Sequence, residues 1–353
     1  MRIIVIGDGK VGRTIVEHIC QEGHEVIVID SDPLAIEEVI ENFDVMGIVG
    51  NGASYEILSS ANASKADIVI AATSSDETNI LACLIGKKIG AKSTIARVRN
   101  FEYSKQTDIF EKDLGINMII NPENEAAREI LKIINFPQAL RIDSFANGKV
   151  DLIELIIPED SILVGKSLIE LYRQFQIKVL VCAVQRNDNV IIPAGNFVFE
   201  AKDKIHITAN SQNTLRQFLS NCGLLETKIK DVLIIGGSKV GIYLANELLN
   251  NKFSVKIIEK DYNKCLELSQ LLPKATIICG DGSDQKVLDE EGINHFDSVI
   301  ALTGIDEENM VISMYAYKQE VKKVVAKVNK TSLVGLLESI ALASIISPKD
   351  ITS

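Results

Sequence analysis

Gly7-Asp8-Gly9-Lys10-Val11-Gly12 follows the apolar run Ile3–Ile6 and opens a helical pattern. Between a strand and a helix, a GxGxxG pattern is a cradle for phosphate. Gly7 permits the tight turn, Gly9 lets the backbone approach a phosphate, and Gly12 allows the helix to pack closely on the strand. The helix start, with Lys10 and Val11 in its first turn, supplies free N–H groups and a partial positive charge. Asp30 ends the next apolar run at the distance where a carboxylate accepts hydrogen bonds from an adenosine ribose. An acid there repels a 2′-phosphate, so NAD is expected over NADP.

Three later segments fall at the carboxyl ends of apolar runs, where open α/β sheets bind ligands. Asn51-Gly52-Ala53 offers backbone to an adenine edge, and Thr73 and Ser74 offer hydroxyls to phosphate or ribose, with Glu77 close behind. Arg97 is a cation inside an apolar run. Buried Arg is rarely unpaired, so it meets either a phosphate or a carboxylate such as Glu77.

All these segments recur. RIIVIGDGKVG (2–12) matches DVLIIGGSKVG (231–241), and EVIVIDSD (25–32) matches SVKIIEKD (254–261). IVGNGAS (48–54), DIVIAATSSDETN (67–79) and IARVRN (95–100) match ICGDGS (278–283), DSVIALTGIDEEN (297–309) and VAKVNK (325–330). The near-constant offset marks a duplicated domain rather than a solenoid. The second set is Gly236, Ser238, Lys239, Val240, Gly241, Glu259, Asp281, Gly282, Thr303 and Lys327. Ser238 stands where Gly9 stood, so its Cβ crowds a pyrophosphate, and Lys327 lacks the guanidinium fork of Arg97. The second site is expected to be the weaker.

The elements that must position these residues follow from pattern. Short apolar runs near 2–6, 25–29, 45–49, 67–72, 93–98 and 117–120 alternate with helical patterns near 11–22, 32–42, 53–61, 77–89 and 101–113. This is the signature of a doubly wound, Rossmann-like parallel sheet in each copy. Between the copies, strands near 150–158, 179–186, 189–193 and 203–209 and helices near 167–174 and 211–220 predict a small α+β unit, with turns at Asn187-Asp188 and Ala194-Gly195-Asn196. The expected units are 1–135, which includes a helix leaving the first copy, then 140–225 and 230–353. The fold class is therefore α/β, two Rossmann-like domains separated by a small α+β subdomain.

Composition narrows the partners. A net charge of −11 argues against sequence-independent nucleic-acid binding and against attraction to an anionic membrane surface. Neither a leader pattern nor an 18-residue apolar run is present, so a soluble chain is expected. The six cysteines form no CxxC pair and sit near no His at zinc spacing, which reads as free thiols in a reducing cytosol and no metal site.

With GDGKVG, Asp30, NGAS, TSSDETN and ARVRN in one copy and GGSKVG, Glu259, GDGS and DEEN in the other, the sequence resembles the peripheral subunits of bacterial Trk potassium-uptake systems. These are built from domains that regulate conductance of potassium, the RCK family with its TrkA-N and TrkA-C parts. The middle unit's EDSILVGKSLIEL and NVIIPAGNFVFEAKD resemble that family's C-terminal subdomain. The resemblance implies a cytoplasmic assembly, peripheral at the inner face of the cell membrane beneath a membrane-embedded potassium channel or transporter. NAD(H), or ATP/ADP, would bind and alter conductance. The family carries a second C-terminal subdomain, whereas this sequence stops at Ser347–Ser353, near the equivalent of Asn121-Pro122, as expected of a shortened chain.

The competing class is an NAD-dependent dehydrogenase, which needs a His, Lys or Tyr beside the nicotinamide. His206, in the apolar run Ile205–Ile207, is the middle unit's offering and reads as a strand-surface residue. A third reading is a nucleotide-linked regulator of another cation transporter. No catalytic residue is assigned. The helix at 124–135 carries an apolar stripe of Ala127, Ile130, Leu131 and Ile134 that must be buried, against copy two or a second chain. A homo-oligomer, in the simplest case an isologous dimer with this helix at its interface, is expected.

Overall fold

The computed structural model describes residues 1–104, 106–145, 150–187, 189–224, 229–330 and 344–347. Asp188 and residues 348–353, part of two readings above, lie outside them.

The apolar runs of the first copy become β1 (Arg2–Ile6), β2 (Glu25–Asp30), β3 (Met46–Val49), β4 (Ile68–Ala71), β5 (Ser93–Arg97) and β6 (Met118–Ile120). They form one parallel sheet in the order β3-β2-β1-β4-β5-β6. The order reverses between β1 and β4, which opens a crevice at their carboxyl ends. Ile3–Ile6 are all buried because helices cover both faces, so this strand reads as a continuous apolar run.

The helices are α1 (Lys10–Gln21), α2 (Pro33–Asn42), α3 (Tyr55–Ser60), α4 (Asp76–Ile89), α5 (Phe101–Ser104) and α6 (Pro122–Asn135). Side-chain caps start three of them. Asp32 accepts from Leu34 N, Ser75 from Thr78 N and Asn121 from Asn124 N, with Pro in the first turn of α2 and α6. The continuous helix expected over 101–113 is not formed. After α5 the chain makes a wide turn at Ile109–Asp113, and Leu114 N donates to Ile109 O. The turn sets Phe110 edge-on to Tyr103, at 6.3 Å between ring centres.

The middle unit is β7 (Arg141–Phe145), β8 (Val150–Ile156), α7 (Leu168–Phe175), β9 (Val179–Arg186), β10 (Asn189–Ile191), β11 (Lys204–Ala209) and α8 (Gln212–Asn221). Its sheet is antiparallel, in the order β10-β9-β11-β8-β7. Ser167 and Glu170 form a reciprocal capping box at α7. The edge strand β7 has no counterpart in the expectations, because RIDSF lacks a continuous apolar signal.

The second copy repeats the first: β12 (Asp231–Ile235), α9 (Lys239–Asn250), β13 (Ser254–Glu259), α10 (Tyr262–Leu271), β14 (Thr276–Cys279), α11 (Gln285–Glu290), β15 (Ser298–Ala301), α12 (Asp306–Lys318), β16 (Lys323–Lys327) and β17 (Ser344–Ile346). Its parallel order is β14-β13-β12-β15-β16-β17.

Helix α6 leaves the first copy and joins the core of the second. Ala126, Ala127, Ile130 and Ile134 are fully buried among Tyr243, Leu244, Leu248 and Ile257. The stripe therefore needs no second chain, and the expected dimer interface on this helix is corrected to a contact between the copies of one chain. A single chain satisfies it because α9 presents a complementary apolar face. Replacing Ile130 by Asp strands a charge in this core. We expect a loss of about 3–5 kcal/mol of unfolding free energy, read as a lower urea midpoint.

Candidate nucleotide sites

Each glycine turn is tied to the acid that ends the neighbouring strand. Asp30 accepts from Asp8 N at 2.6 Å through one oxygen and from Asp32 N at 2.9 Å through the other. Glu259 accepts from Gly237 N at 2.7 Å and Asp261 N at 2.9 Å. Glu is one methylene longer yet reaches the equivalent amides, and it is buried whereas Asp30 is half-buried. Gly7 has φ 95°, a backbone that disfavours any side chain. A Cβ on Gly12 would lie 1.8 Å from Gly7 O, so Gly12 sets the helix on the turn and does not line the pocket.

Behind the rim stands a pair of buried amides that the glycine and strand-end motifs do not reveal. Asn79 accepts from Thr73 N at 2.8 Å and from the Thr73 hydroxyl at 2.7 Å, and donates to Arg97 O at 2.8 Å. It staples the end of β4 to the end of β5. Asn309 does the same in copy two, accepting from Thr303 N at 2.8 Å and donating to Lys327 O at 2.9 Å. Asp76 accepts from Arg99 N at 2.9 Å and Asn100 N at 2.7 Å, and Asp306 from Asn329 N at 2.8 Å and Lys330 N at 3.0 Å. A signal for them exists, since these four residues lie in the matched DETN and DEEN segments.

The first pocket has a volume of about 690 Å³. It is lined by Gly7, Gly9, Lys10, Val11, Asp30, Asn51, Gly52, Thr73, Ser74 and Arg97, which the structure thus brings together as the sequence grouped them. Ala53 and Glu77 do not line it. Ala53 N donates to Asn51 Oδ1 at 2.9 Å, which shapes the loop. Glu77 accepts from Ser75 Oγ at 2.9 Å and from Tyr103 OH at 3.1 Å, on the outside of α4. Arg97 does not pair with Glu77. Its guanidinium lies 3.4 Å from Glu123 at the start of α6, and burial pulls its pKa below the ordinary value. Arg99 joins the lining and donates to Ser74 O. It stands two residues beyond Arg97 in the ARVRN segment, and that spacing is its signal in the sequence.

The second pocket, about 260 Å³, is lined by Gly236, Ser238, Glu259, Asp281, Gly282 and Thr303. Asp281 accepts from Ser283 N and Oγ, and these hydrogen bonds hold its carboxyl below the usual range. Lys239, Val240 and Lys327 are absent from this lining. They line a cleft of about 1070 Å³ between the copies, together with Lys10, Val11 and Arg97 from the first copy. Gly241 lines neither, because a Cβ there would lie 2.9 Å from Gly236 O. Lys327 is pulled below the ordinary lysine pKa by burial.

The two helix starts also differ. Gly9 begins α1 with no side-chain cap, and a Cβ there would meet open space. Ser238 begins α9, and its hydroxyl accepts from Gly241 N at 3.4 Å. The Gly241 amide at α9 is thus engaged by a side chain, whereas Gly9 offers no such cap at α1.

Glycine turn, strand-end acid and switch-point crevice, all present twice, define a tandem Rossmann protein with dinucleotide-type pockets. The TrkA-N domain matches residues 3–122 and 232–348, and the TrkA-C domain matches residues 152–223. The chain belongs to the TrkA family. It is 34% identical over its whole length to the Trk system potassium uptake protein TrkA homolog of Archaeoglobus fulgidus, covering 79% of that protein. It is 32% identical, again over its whole length, to the Trk system potassium uptake protein TrkA of Vibrio alginolyticus, covering 77% of it. In fold it is similar to the GsuK channel bound to NAD, with a TM-score of 0.72 at 16% identity, over 99% of this chain and 62% of that one.

The Asn79 staple gives a direct test. Asn79→Ala leaves Thr73 N–H and Arg97 C=O without this partner, at a cost of about 1–3 kcal/mol. Hydrogen exchange should quicken at the carboxyl ends of β4 and β5 and not in the middle sheet.

Proposed function

We propose that the chain is a regulatory subunit of Trk-type potassium uptake that binds NAD(H), or secondarily ATP/ADP, and catalyses nothing. The observation that carries this reading is the duplicated pocket, each copy with a glycine turn held by a strand-end acid, joined through α6. Two binding sites coupled through one buried seam suit a device that changes shape on binding. Such a device works only where the ligand prefers one of two shapes. The Trk names of its relatives and the NAD bound by the similar GsuK channel support the same reading.

The residues proposed to hold the nucleotide are those lining the two pockets. Asp30 and Glu259 each keep both oxygens on backbone amides, and the remaining lone pairs suit ribose hydroxyls. A 2′-phosphate would meet that carboxylate at close range. The first site is proposed as the tighter, because Gly9 leaves open the space that the Ser238 side chain occupies.

The membrane partner is proposed to be a potassium channel or transporter subunit, with this chain assembled as an oligomer on its cytoplasmic side. No helix among the described residues is long and apolar enough to cross a membrane. The non-catalytic part of the proposal rests on His206. It is half-buried on β11, paired in register with Glu154 and Ala183 of the middle sheet, and lines neither strand-end pocket.

Calorimetric titration with NADH, NADPH, ATP and ADP tests the reading. NADH should bind at least tenfold tighter than NADPH, about 1.4 kcal/mol, and Asp30→Ala should narrow that ratio. Equal affinities would overturn the assignment of Asp30. NADH mixed with oxo-acids or aldehydes should show no oxidation, and a rate abolished by His206→Ala would revive the dehydrogenase.

A further inference from the structure

Two cysteines, one on α10 and one at the end of β14, come together beside the second pocket. Cys279 ends β14 and lies beside Glu259 of β13 in the parallel register. Cys265, in the first turns of α10, donates its thiol to the Glu259 carbonyl at 3.2 Å, and Gly280 N donates to the same oxygen at 3.0 Å. The Cys265 thiol and the Cys279–Gly280 backbone thus converge on one oxygen, the Glu259 carbonyl. Cys265 is buried, whereas Cys279 is exposed. Both are free, yet they stand where α10 and the loop after β14 together carry Lys264, Asp281 and Gly282 of the pocket lining.

The duplication supplies an internal control. The register that pairs Glu259 with Cys279 pairs Asp30 with Val49 in copy one. Counting from the capping residues Asp32 and Asp261, the position of Cys265 is that of Ile36. Ile36 is buried and Val49 exposed, as their counterparts are. The scaffold thus holds the same geometry twice, and only copy two fills it with thiols.

We propose that Cys265 and Cys279 are a reversible thiol–disulfide pair whose oxidation weakens nucleotide binding at the second pocket alone. The binding half of this rests on the nucleotide reading above. The oxidant is a low-molecular-weight disulfide. Exposed Cys279, as thiolate, attacks one of its sulfurs, forms a mixed disulfide and expels one thiolate. Cys265 then gives up its proton and attacks Cys279 Sγ, expelling the second thiol. The two protein thiols are oxidised by two electrons, and one small disulfide is reduced to two thiols. The order is fixed by access, since the small disulfide cannot reach buried Cys265 first. Burial and then the neighbouring thiol push Cys265 up to about 11, so little of it is thiolate and it is the slower, second thiol to react.

The bond draws the sulfurs to about 2.05 Å. Cys265 then loses its hydrogen bond to Glu259 O, and the start of α10 is pulled toward the loop after β14. The second pocket is the smaller of the two, so this closure takes space from the ligand.

The test uses the full chain carrying Gly9→Phe, which fills the open space at the first phosphate turn and leaves NADH binding to report on copy two. The protein is treated with glutathione disulfide, alkylated, digested and examined by mass spectrometry, and NADH is titrated before oxidation, after it, and after re-reduction. The expected result is a Cys265–Cys279 linked peptide with a several-fold weaker NADH affinity that re-reduction restores. Cys279→Ser should show neither change, while Cys265→Ser should stop at the mixed disulfide on Cys279. Thiols that stay free, or links only between chains, would overturn the pair. A linked peptide with unchanged NADH affinity would overturn the switch. No NADH binding in the reduced protein would overturn the nucleotide reading of copy two and the switch with it. The linked peptide still decides the thiol chemistry separately.

Discussion

The burial of α6 against α9 is the contact on which the rest of the molecule depends. An amphipathic helix that starts at the edge of one Rossmann sheet cannot leave Ile130 and Ile134 in water, and the second copy covers them completely. The seam also carries polar specificity. Tyr243 of α9 accepts from Asn121 Nδ2 at 2.8 Å and donates to Arg99 O at 3.1 Å, and its ring lies 5.4 Å from that of Phe101. Apolar contact supplies the adhesion, and these hydrogen bonds fix the register, because leaving either partner unpaired in a buried place is costly.

That seam reaches the rim of the first pocket. Arg99 contributes its side chain to the first pocket and its carbonyl to Tyr243 of the second copy. Arg97 lines both the first pocket and the cleft between the copies, and is held by Glu123 of α6. A ligand that drew the Arg97 guanidinium toward its phosphates would change its contact with Glu123 of α6. Coupling of this kind is a difference in contact free energy between two arrangements, and it acts equally in both directions.

Duplication alone would give two identical copies, and the structure shows where they differ. The frame is the same in both copies: strand-end acid on the glycine turn, Asn staple and Asp clamp. The departures sit where a ligand or reagent would arrive. Ser238 caps a helix that Gly9 leaves open, Lys327 replaces a forked cation by a point charge, and two thiols replace Ile36 and Val49.

The sequence by itself determined the architecture and the gross layout of the first pocket. Strand and helix periods, glycine spacing and the acid ending β2 are local signals, and a parallel sheet brings its strand ends together by topology alone. The duplication doubled each signal. What lay beyond it depended on geometry between distant segments. Sequence alone offers Glu77 or a phosphate as the partner of Arg97, but a helix start 26 residues away supplies Glu123. The stripe at 124–135 was legible as a surface needing cover, yet only packing decided that copy two provides it. Lys239 and Lys327 group with the second pocket by equivalence of position and lie instead in the cleft, because the relative placement of the copies sets which pocket a long side chain enters. Cys265 and Cys279 meet only because β13 and β14 pair in parallel with α10 crossing between them. Local patterns specify elements, whereas which side chains meet is settled when those elements pack.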